Sequence, residues 1–345
     1  MTDIFTVDQA DGDEPTPRTK RRRSKPVVVL LVLAAVLVAV LVGVAVVGGV
    51  YASRLASSFD EGTTKIEQAF PEETTRPAPA EDGAMNILLM GSDSRADATT
   101  IDDAGPSDQR TDTMMLVHVD GDRENVFVMS IMRDLYVPIP GRGENKINAA
   151  FAYGGSPLTV QTVEDLLGVR IDHVAIIDFE GFKGMTTALG GVDVNSPRGF
   201  STGPYTFEAG PNKLEGDAAL AFVRERYAFA DADFQRVKNQ QAFVRGLVNT
   251  VLSRQTLTDP GKISEFVTAM SPYLTVDQGF DAGTAAGLGI SLRNITPAQM
   301  HFFTVPTAGT GSVGGQSIVN VDQIGLEAVK QGLATDTLVD VPAAR

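Results

Sequence analysis

Four charged residues stand where short apolar runs of the chain begin or end. Asp93 follows the first apolar run, and Arg133 follows the third. Arg110 and Asp112 stand just before the second. Carboxylate oxygens suit Mg²⁺, which usually binds one or two carboxylates together with substrate phosphates, and guanidinium groups bind phosphate oxygens through paired hydrogen bonds. These residue types indicate either a metal-assisted phosphate site or a structural salt-bridge network at the ends of strands.

A second charged cluster lies in the middle of the chain. Arg224 and Arg226 are two residues apart, so they face the same way only if the backbone is extended between them. Arg236 and Gln240 are four residues apart and share one face of a predicted helix. A solvated helix end explains the first pair without any function. The alternative is that both clusters line one pocket for a diphosphate, in which the two aspartates hold Mg²⁺ and stabilise a transferring phosphoryl group.

The elements that must position these side chains begin with a predicted β-hairpin. Met114–Val119 and Asn125–Ile131 are predicted strands, and Asp120–Arg123 is the tight turn between them. A hairpin returns its two outer ends to the same side of a sheet. The charged residues at those ends can therefore meet beside Asp93, which follows a further strand predicted over Met85–Met90.

Strands and helices alternate over the rest of the chain. This alternation predicts a layered α/β fold, an αβα arrangement around a central mixed β-sheet. A short helix over Lys146–Tyr153 ends at Gly154 and Gly155, Pro157 begins the next helix, and Thr307–Gly315 is predicted to be a Gly-rich loop. The other predicted elements are strands at His173–Phe179, Val192–Val194 and Gln299–Val305, and helices at Glu180–Leu189, Gly216–Val223, Asp233–Leu252, Gly261–Met270, Ala282–Leu292 and Asp322–Leu333.

The composition excludes several classes of site. The chain of 345 residues has no cysteine, which rules out disulfides and thiol catalysis. Its three histidines, His118, His173 and His301, lack metal-ligand spacing, so a histidine zinc site is not expected. The formal net charge is −14, which argues against nucleic acid as a partner. No Ser, Cys or His stands out as a nucleophile, so direct attack by an acceptor hydroxyl fits better than a covalent intermediate.

The N-terminal part of the chain predicts a single-pass protein of the cell membrane. Residues 1–26 are polar with a block of Lys and Arg, which predicts a disordered cytoplasmic tail. Residues 27–51 form an uncharged apolar run that is long enough, as a transmembrane helix, to cross a bilayer. A cleaved signal peptide is the alternative, although the run exceeds a typical signal-peptide core. Residues 52–84 are then expected to form an extracytoplasmic stalk with little packed structure, and residues 85–345 an extracytoplasmic catalytic domain.

A series of short motifs resembles the LytR–CpsA–Psr family. Each motif alone is weak, but together they occur in the family's order over about residues 85 to 253. They are G-S-D-S-R at Gly91–Arg95, R-T-D-T-M-M at Arg110–Met115, S-I-M-R-D-L-Y-V at Ser130–Val137, K-I-N-A-A-F-A-Y-G-G at Lys146–Gly155, D-F-E-G-F at Asp178–Phe182 and G-G-V-D-V at Gly190–Val194, followed by G-D-A-A-L-A-F-V-R-E-R and D-F-Q-R-V-K-N-Q-Q.

The resemblance implies a function and a set of site residues. It implies a phosphotransferase that moves an anionic glycopolymer from a polyprenyl-diphosphate carrier to a muramoyl hydroxyl of peptidoglycan, forming a phosphodiester, with wall arabinogalactan as the cargo if the origin is actinobacterial. Asp93 and Asp112 would bind Mg²⁺ and, with Arg110, Arg133 and Arg226, form the catalytic set. The implied diphosphate ligands are Arg110, Arg133, Arg224, Arg226, Arg236 and Gln240. Apolar residues that would line a lipid pocket are Phe151, Phe179, Phe182, Phe222 and Val223.

The chain departs from the family pattern at two positions, and two other functions stay open. Met132 stands where the family usually has Pro, and Gln235 where Gly is usual, which puts the placement of the adjacent arginines in doubt. A non-catalytic receptor or regulator for a lipid-linked phosphate would use the same arginines. A lipid pyrophosphatase would use the same site with water as acceptor. Candidates for the general base are Asp93, Asp134 and Asp233.

Overall fold

The computed structural model describes residues 49–92, 111–251, 253 and 259–342. The chain separates into two units, Met1–Ser53 and Arg54–Arg345, and the account below concerns the second. The predicted tail, residues 1–26, and nearly all of the predicted membrane segment, residues 27–51, lie outside the described residues. Among the residues that are described, no helix combines the length and apolar character needed to span a bilayer.

Short strands and medium-length helices alternate along the second unit. The strands are β1 (Thr64–Ile66), β2 (Met85–Ser92), β3 (Thr111–Val119), β4 (Val126–Ile131), β5 (Tyr136–Ile139), β6 (Gly143–Lys146), β7 (His173–Asp178), β8 (Val192–Ser196), β9 (Phe200–Thr202), β10 (Tyr205–Phe207), β11 (Gly210–Leu214), β12 (Leu274–Asp277), β13 (Met300–Thr304), β14 (Thr307–Val313) and β15 (Gln316–Val321). The helices are α1 (Ala149–Leu167), α2 (Phe179–Ala188), α3 (Gly216–Arg224), α4 (Ala232–Val251), α5 (Pro260–Met270), α6 (Ala282–Ser291) and α7 (Gln323–Ala334).

The central sheet has the strand order β1-β12-β7-β2-β3-β4-β13. β2, β3 and β4 are antiparallel neighbours, whereas β7 runs parallel to β2 and β13 runs parallel to β4. The sheet is therefore mixed, and the fold class predicted from the sequence is confirmed. The predicted hairpin also forms, since β3 pairs with β4 from Met114 opposite Ile131 to Val119 opposite Val126.

Alternation along the central strands gives the sheet two apolar faces, and helices cover both. On one face, Leu88 and Leu116 belong to a cluster that includes Val163 of α1 and Val329 of α7. On the other face, Met115 packs in a cluster with residues of α4 and α6. Because successive side chains on a strand point to opposite faces, each strand contributes to both layers of the core. The αβα layering follows from this pattern.

Of two local predictions about glycine-rich segments, one is confirmed and the other is wrong. The helix break at Gly154 is confirmed, because Gly154 and Gly155 have non-helical backbone angles inside α1 and Gly155 has a φ of 60°. The prediction of a loop over Thr307–Gly315 is wrong, because Thr307–Val313 pairs with β15 as an antiparallel hairpin. The glycines belong to the turn, where Gly314 and Gly315 have φ values of 59° and 80°.

The predicted boundary between stalk and domain is also wrong. Residues 54–62 are helical, and β1 extends the central sheet by pairing with β12. Ile66 and Ala69 belong to the main core cluster. Arg76 forms a buried ion pair with Glu164 of α1 at 2.8 Å. The packed unit therefore includes residues that were expected to form little structure, because a few long-range contacts hold a segment whose composition is mostly polar.

Candidate functional site

A pocket of about 700 Å³ lies between the sheet and helices α2, α3 and α4. Its volume lies within the range of small-molecule sites. Its walls are mostly apolar. They include Leu89 and Met115 from the sheet, Phe182 from α2, and Phe243 and Leu247 from α4. Such a lining suits a hydrocarbon chain better than a free sugar.

Charged and amide side chains join this apolar pocket along part of its wall. The predicted site residues that the structure brings together there are Arg133, Arg224, Arg226, Arg236 and Gln240. The sequence required extended backbone between Arg224 and Arg226 for them to face the same way. Glu225 satisfies this requirement, because its φ of −64° and ψ of 133° follow directly on the end of α3. The arginine pair is therefore more than a solvated helix end.

Three of these guanidinium groups, those of Arg133, Arg226 and Arg236, are held by two carboxylates. Asp233 Oδ1 lies 3.0 Å from Arg236 Nη2 and 3.8 Å from Arg226 Nη1. Asp134 Oδ2 lies 3.6 Å from Arg133 Nε, and its other oxygen lies 3.1 Å from Lys146 Nζ. Four cationic side chains thus share two carboxylates. The network keeps a local excess of positive charge in a protein whose total charge is strongly negative.

Asp134 is a poor candidate for the general base. Burial by itself would raise its pKa, but hydrogen bonding with Asp233 and the positive charges of Arg133 and Lys146 together hold the pKa of Asp134 below its ordinary value. A carboxylate with a lowered pKa accepts a proton less readily. Asp134 therefore serves better to position the cations around it.

Gln240 of α4 links this helix to β3 and α3 through hydrogen bonds. Its Nε2 donates hydrogen bonds to Thr113 Oγ1 of β3 at 2.8 Å and to the backbone carbonyl of Val223 in α3 at 3.2 Å. Both amide hydrogens are therefore used inside the protein. This geometry fixes α4, which also carries Arg236, against the sheet and α3.

The structure describes the region of the predicted metal ligands only in part. Asp93 and Arg110 lie outside the described residues, and of Asp112 only the backbone, in β3, is described. The pairing of β2 with β3 skips Asp112, since Gly91 pairs with Thr113 and Ser92 with Thr111. Asp112 is the extra residue of a bulge, a feature that is common next to active sites.

The chemistry at this bulge suits a hard cation. Ser92, which precedes Asp93 in the chain, pairs with Thr111, which precedes Asp112. The buried Oγ1 of Thr111 makes no hydrogen bond with the described part of the chain. The side chains of Asp93, Asp112 and Thr111 all offer oxygen donors, the type that Mg²⁺ prefers. The residues present therefore fit the ion that the sequence implies.

The two departures from the family pattern leave the arginines in the pocket. Met132 is buried at 2% exposure within the main core cluster, and Gln235 is fully buried, with its Nε2 donating to Asn239 Oδ1 at 2.9 Å. Arg133 and Arg236, next to these positions, both line the pocket. Neither substitution has moved its neighbour out of the site.

The structure also divides the apolar candidates and adds residues that the sequence did not single out. Of the former, Phe179, Phe182 and Val223 line the pocket, whereas Phe151 and Phe222 are buried in core clusters. The residues added are Thr113, Lys146 and Tyr227. Lys146 and Thr113 belong to two of the quoted motifs, but nothing in the sequence singles out their roles, and Tyr227 lies outside the motifs. Tyr227 lines the pocket with an 84% exposed side chain, and its hydroxyl accepts a hydrogen bond from Arg226 at 2.6 Å.

Comparison with known proteins gives consistent matches. The profile of the LytR_cpsA_psr family matches residues 50–335. Cell wall biosynthesis protein LcpA of Corynebacterium glutamicum is 33% identical over 284 residues, covering 70% of this chain and 54% of LcpA. The polyisoprenyl-teichoic acid–peptidoglycan teichoic acid transferase TagU of Enterococcus faecalis is 34% identical over 197 residues, covering 57% of this chain and 62% of TagU. The chain thus spans less than two thirds of the length of these two relatives.

A solved structure agrees with the sequence matches. The crystal structure of B. subtilis TagV superposes with a TM-score of 0.63 and 26% identity over 74% of this chain and 98% of TagV. The family profile covers most of the chain and begins at residue 50, upstream of the expected domain boundary and in keeping with the packed segment before β2. The fold, the ordered motifs and the profile agree, and the chain belongs to the LytR–CpsA–Psr family.

Proposed function

We propose that the protein transfers a glycopolymer from a polyprenyl-diphosphate carrier to peptidoglycan and forms a phosphodiester bond. The observation that carries the proposal is the pocket itself, in which an apolar cavity is continuous with a cluster of arginines. A polyprenyl diphosphate has the same division, with a long hydrocarbon tail joined to a polyanionic head. The relatives named as teichoic acid transferase and cell wall biosynthesis protein support a transferase of this class.

The residues of the chain suggest how the reaction proceeds. The hydroxyl of the acceptor sugar attacks the phosphorus that carries the glycan, a new P–O bond forms, and the P–O bond to the polyprenyl phosphate breaks. The acceptor proton leaves with a base, for which Asp93 and Asp233 remain candidates. Arg133, Arg226 and Arg236 stabilise the charge that develops on the phosphate oxygens and on the departing polyprenyl phosphate.

We propose Asp93 and Asp112 as the residues that hold Mg²⁺, with Arg110 beside them. When bound, the ion would neutralise charge on the diphosphate. Arg224 and Gln240 complete the proposed diphosphate site, Gln240 mainly by fixing α4, because its two donors are engaged with Thr113 and Val223.

We also propose that residues 27–51 anchor the protein in the cell membrane with residues 1–26 in the cytoplasm. The uncharged apolar run and the basic block before it support this orientation. An enzyme that uses a membrane lipid as donor and peptidoglycan as acceptor works outside the cytoplasm, at the membrane surface. Labelling a cysteine introduced at an exposed position such as Ser57 with a membrane-impermeant reagent in intact cells tests the orientation. Labelling only after lysis would contradict it.

Turnover by the full chain in detergent is the direct test of the function. The protein is incubated with a synthetic polyprenyl-diphosphate glycan and peptidoglycan fragments, first with Mg²⁺ and then with EDTA. The proposal predicts release of polyprenyl phosphate, attachment of glycan to peptidoglycan and loss of both in EDTA.

The same experiment distinguishes the two other functions. A receptor binds the lipid-linked glycan but releases no polyprenyl phosphate. A pyrophosphatase cleaves the diphosphate equally well without peptidoglycan and attaches no glycan. Either result, obtained with folded protein, would replace the transferase as the proposed function.

A further inference from the structure

A buried cluster of one histidine and two aspartates lies at the opposite end of β3 from the pocket. His118, Asp120 and Asp336 each offer a ligand atom, and these atoms all lie within 4.8 Å of one another. Thr113 lines the pocket, and Asp120 lies seven residue steps further along extended chain, a distance of about 24 Å. The cluster is therefore separate from the site described above. The geometry points to a structural site for a divalent transition-metal ion of the Zn²⁺ type.

The hydrogen bonds around His118 fix Nδ1 and leave Nε2 facing the two carboxylates of the cluster. Asn86 Nδ2 donates to the carbonyl oxygen of Arg170 at 2.9 Å, which fixes the orientation of the amide. Asn86 Oδ1 then faces His118 Nδ1 at 2.8 Å, so this nitrogen carries the proton. Nε2 is therefore the nitrogen that faces the two carboxylates, and a proton or a metal ion must lie between it and Asp336 Oδ1, which is 3.2 Å away. Metal-binding histidines are usually oriented by a second hydrogen bond of this kind.

Each carboxylate is likewise oriented through one oxygen, and the other oxygen is directed at the histidine. Asn125 Nδ2 donates to Asp120 Oδ2 at 2.9 Å, and the backbone N–H of Gly121 donates to Asp336 Oδ2 at 2.9 Å. The Oδ1 atoms of Asp336 and Asp120 lie 3.2 and 3.6 Å from His118 Nε2. Ligands at bonds of about 2.0–2.1 Å in a tetrahedron are about 3.3 Å apart, so both separations are close to those of a Zn²⁺ site.

Asp120 supplies an independent sign that a cation is needed. The residue is only 5% exposed, and its Oδ1 is buried without a hydrogen-bond donor among the described residues. In that part of the chain, no Lys or Arg forms an ion pair with the carboxylate of Asp120 or Asp336. The nearby guanidinium of Arg123 donates instead to the carbonyl oxygen of Asp120. A buried carboxylate oxygen without a donor is costly unless a proton or a cation compensates it.

The backbone at Asp336 supports the same conclusion. Asp336 has a φ of 54°, in the left-handed region that residues other than Gly rarely adopt. It follows α7 directly, and its side chain reaches back to the turn between β3 and β4. An ion at this position would join the C-terminal part of the fold to the central hairpin. The side chain of Asp336 is 17% exposed, which gives an ion a path from solvent.

Metal binding by two matched variants tests the inference. The full chain is treated with a chelator, dialysed and titrated with Zn²⁺ alone, and the bound metal is measured. Asp336→Asn removes one ligand charge while keeping a residue that tolerates the left-handed region. Glu327→Gln makes the same chemical change at an exposed carboxylate on α7, where the side chain is 77% exposed. Circular dichroism confirms that both variants are folded.

We expect wild type and Glu327→Gln to bind one equivalent of Zn²⁺ more than Asp336→Asn. Saturating Zn²⁺ should raise the Tm of the first two by about 5 °C relative to Asp336→Asn. Co²⁺ in place of Zn²⁺ should give the intense visible absorption of tetrahedral cobalt, which an octahedral oxygen site lacks. Equal Zn²⁺ binding and equal Tm in wild type and Asp336→Asn would overturn the inference and leave a buried imidazolium paired with two aspartates.

Discussion

Arg226 and Arg236 approach the same carboxylate oxygen, Asp233 Oδ1, at 3.8 and 3.0 Å from two different elements. Arg236 is a residue of α4 and is 7% exposed, whereas Arg226 follows α3 and is 30% exposed. Because one carboxylate holds both groups, their spacing in the pocket is fixed before any substrate arrives. Preorganised charge of this kind is what phosphoryl transfer needs most.

Replacing Arg226 should therefore affect activity far more than stability. We expect Arg226→Ala to lower kcat/KM by roughly 10²- to 10³-fold, because a donor to the transition-state charge is lost. The Tm should change little, since the side chain is partly exposed. Arg198→Ala is the matched control, because Arg198 pairs with Asp231 at the surface and does not line the pocket. If both variants lost activity equally, or if Arg226→Ala unfolded, the role assigned to Arg226 would be wrong.

Variants of two adjacent glutamines, Gln240 and Gln241, can distinguish an effect on the pocket from an effect on stability. Gln240 bonds to Thr113 and Val223, whereas Gln241 bonds to Ser130 and to Phe303 in the strands β4 and β13. Each change to Leu removes hydrogen bonds and should cost about 1–3 kcal/mol in urea unfolding. Only Gln240→Leu should also lower kcat/KM well beyond its effect on the folded fraction. Equal activities of the two variants would show that Gln240 has no special part in the site.

The segment before β2 should contribute strongly to stability. Glu164→Gln leaves Arg76 buried without its full partner, and breaking a buried pair of this kind costs about 3–5 kcal/mol. Glu73→Gln should have little effect, because Glu73 is 71% exposed where it pairs with Arg170 and Arg76. Urea unfolding of both variants at pH 7 provides the comparison. A small effect of Glu164→Gln would mean that the segment is only loosely attached.

The acid limit of stability should depend on Asp277. Burial would raise the pKa of this carboxyl, but contact with His173 and the N–H groups of Val174 and Gly279 together hold its pKa below the ordinary value. A lowered folded-state pKa contributes stability that is present above about pH 4 and is lost as the pH falls further.

The Tm of Asp277→Asn measured from pH 7 to pH 3 checks this dependence. The variant should start lower at pH 7 and lose less on acidification than wild type. Asp122→Asn, at an exposed carboxylate in the turn after β3, should follow the wild-type curve. Parallel curves for wild type and Asp277→Asn would remove Asp277 as the cause of the acid limit.

Much of the central fold could be predicted because its elements carry strong local patterns. The strands of the β3–β4 hairpin show an alternating apolar pattern, and α4 has regular apolar spacing. The predicted bounds of these elements therefore lie within a few residues of the observed ones. β1 and β12 were missed because T-K-I and L-T-V-D are too short to show a period. Their strand character comes from pairing across more than 200 residues of sequence, which no local pattern contains.

The charged residues of the candidate site could be predicted from the sequence, but the residues that position them could not. The arginines could be grouped because their types and motifs are distinctive. Thr113 lies in a quoted motif, but its role could not be found, because it comes from a hydrogen bond with Gln240, which is 127 residues away in sequence. The three ligands of the inferred metal site share this difficulty, since Asp336 lies 218 residues from His118. Spacing in the sequence reveals sites built on one element better than sites assembled by the fold.

The short strand β1 also protects the sheet from self-association. It is three residues long and has Lys65 at its centre, whose Nζ donates to the carbonyl of Phe280 at 2.8 Å. Short edge strands and lysines prevent the edge of one molecule from adding to the edge of another. A protein shortened to begin at residue 85 would present β12, with Leu274 and Val276, as an open edge. The segment that resembles a stalk in sequence thus covers this edge, and its removal should favour aggregation.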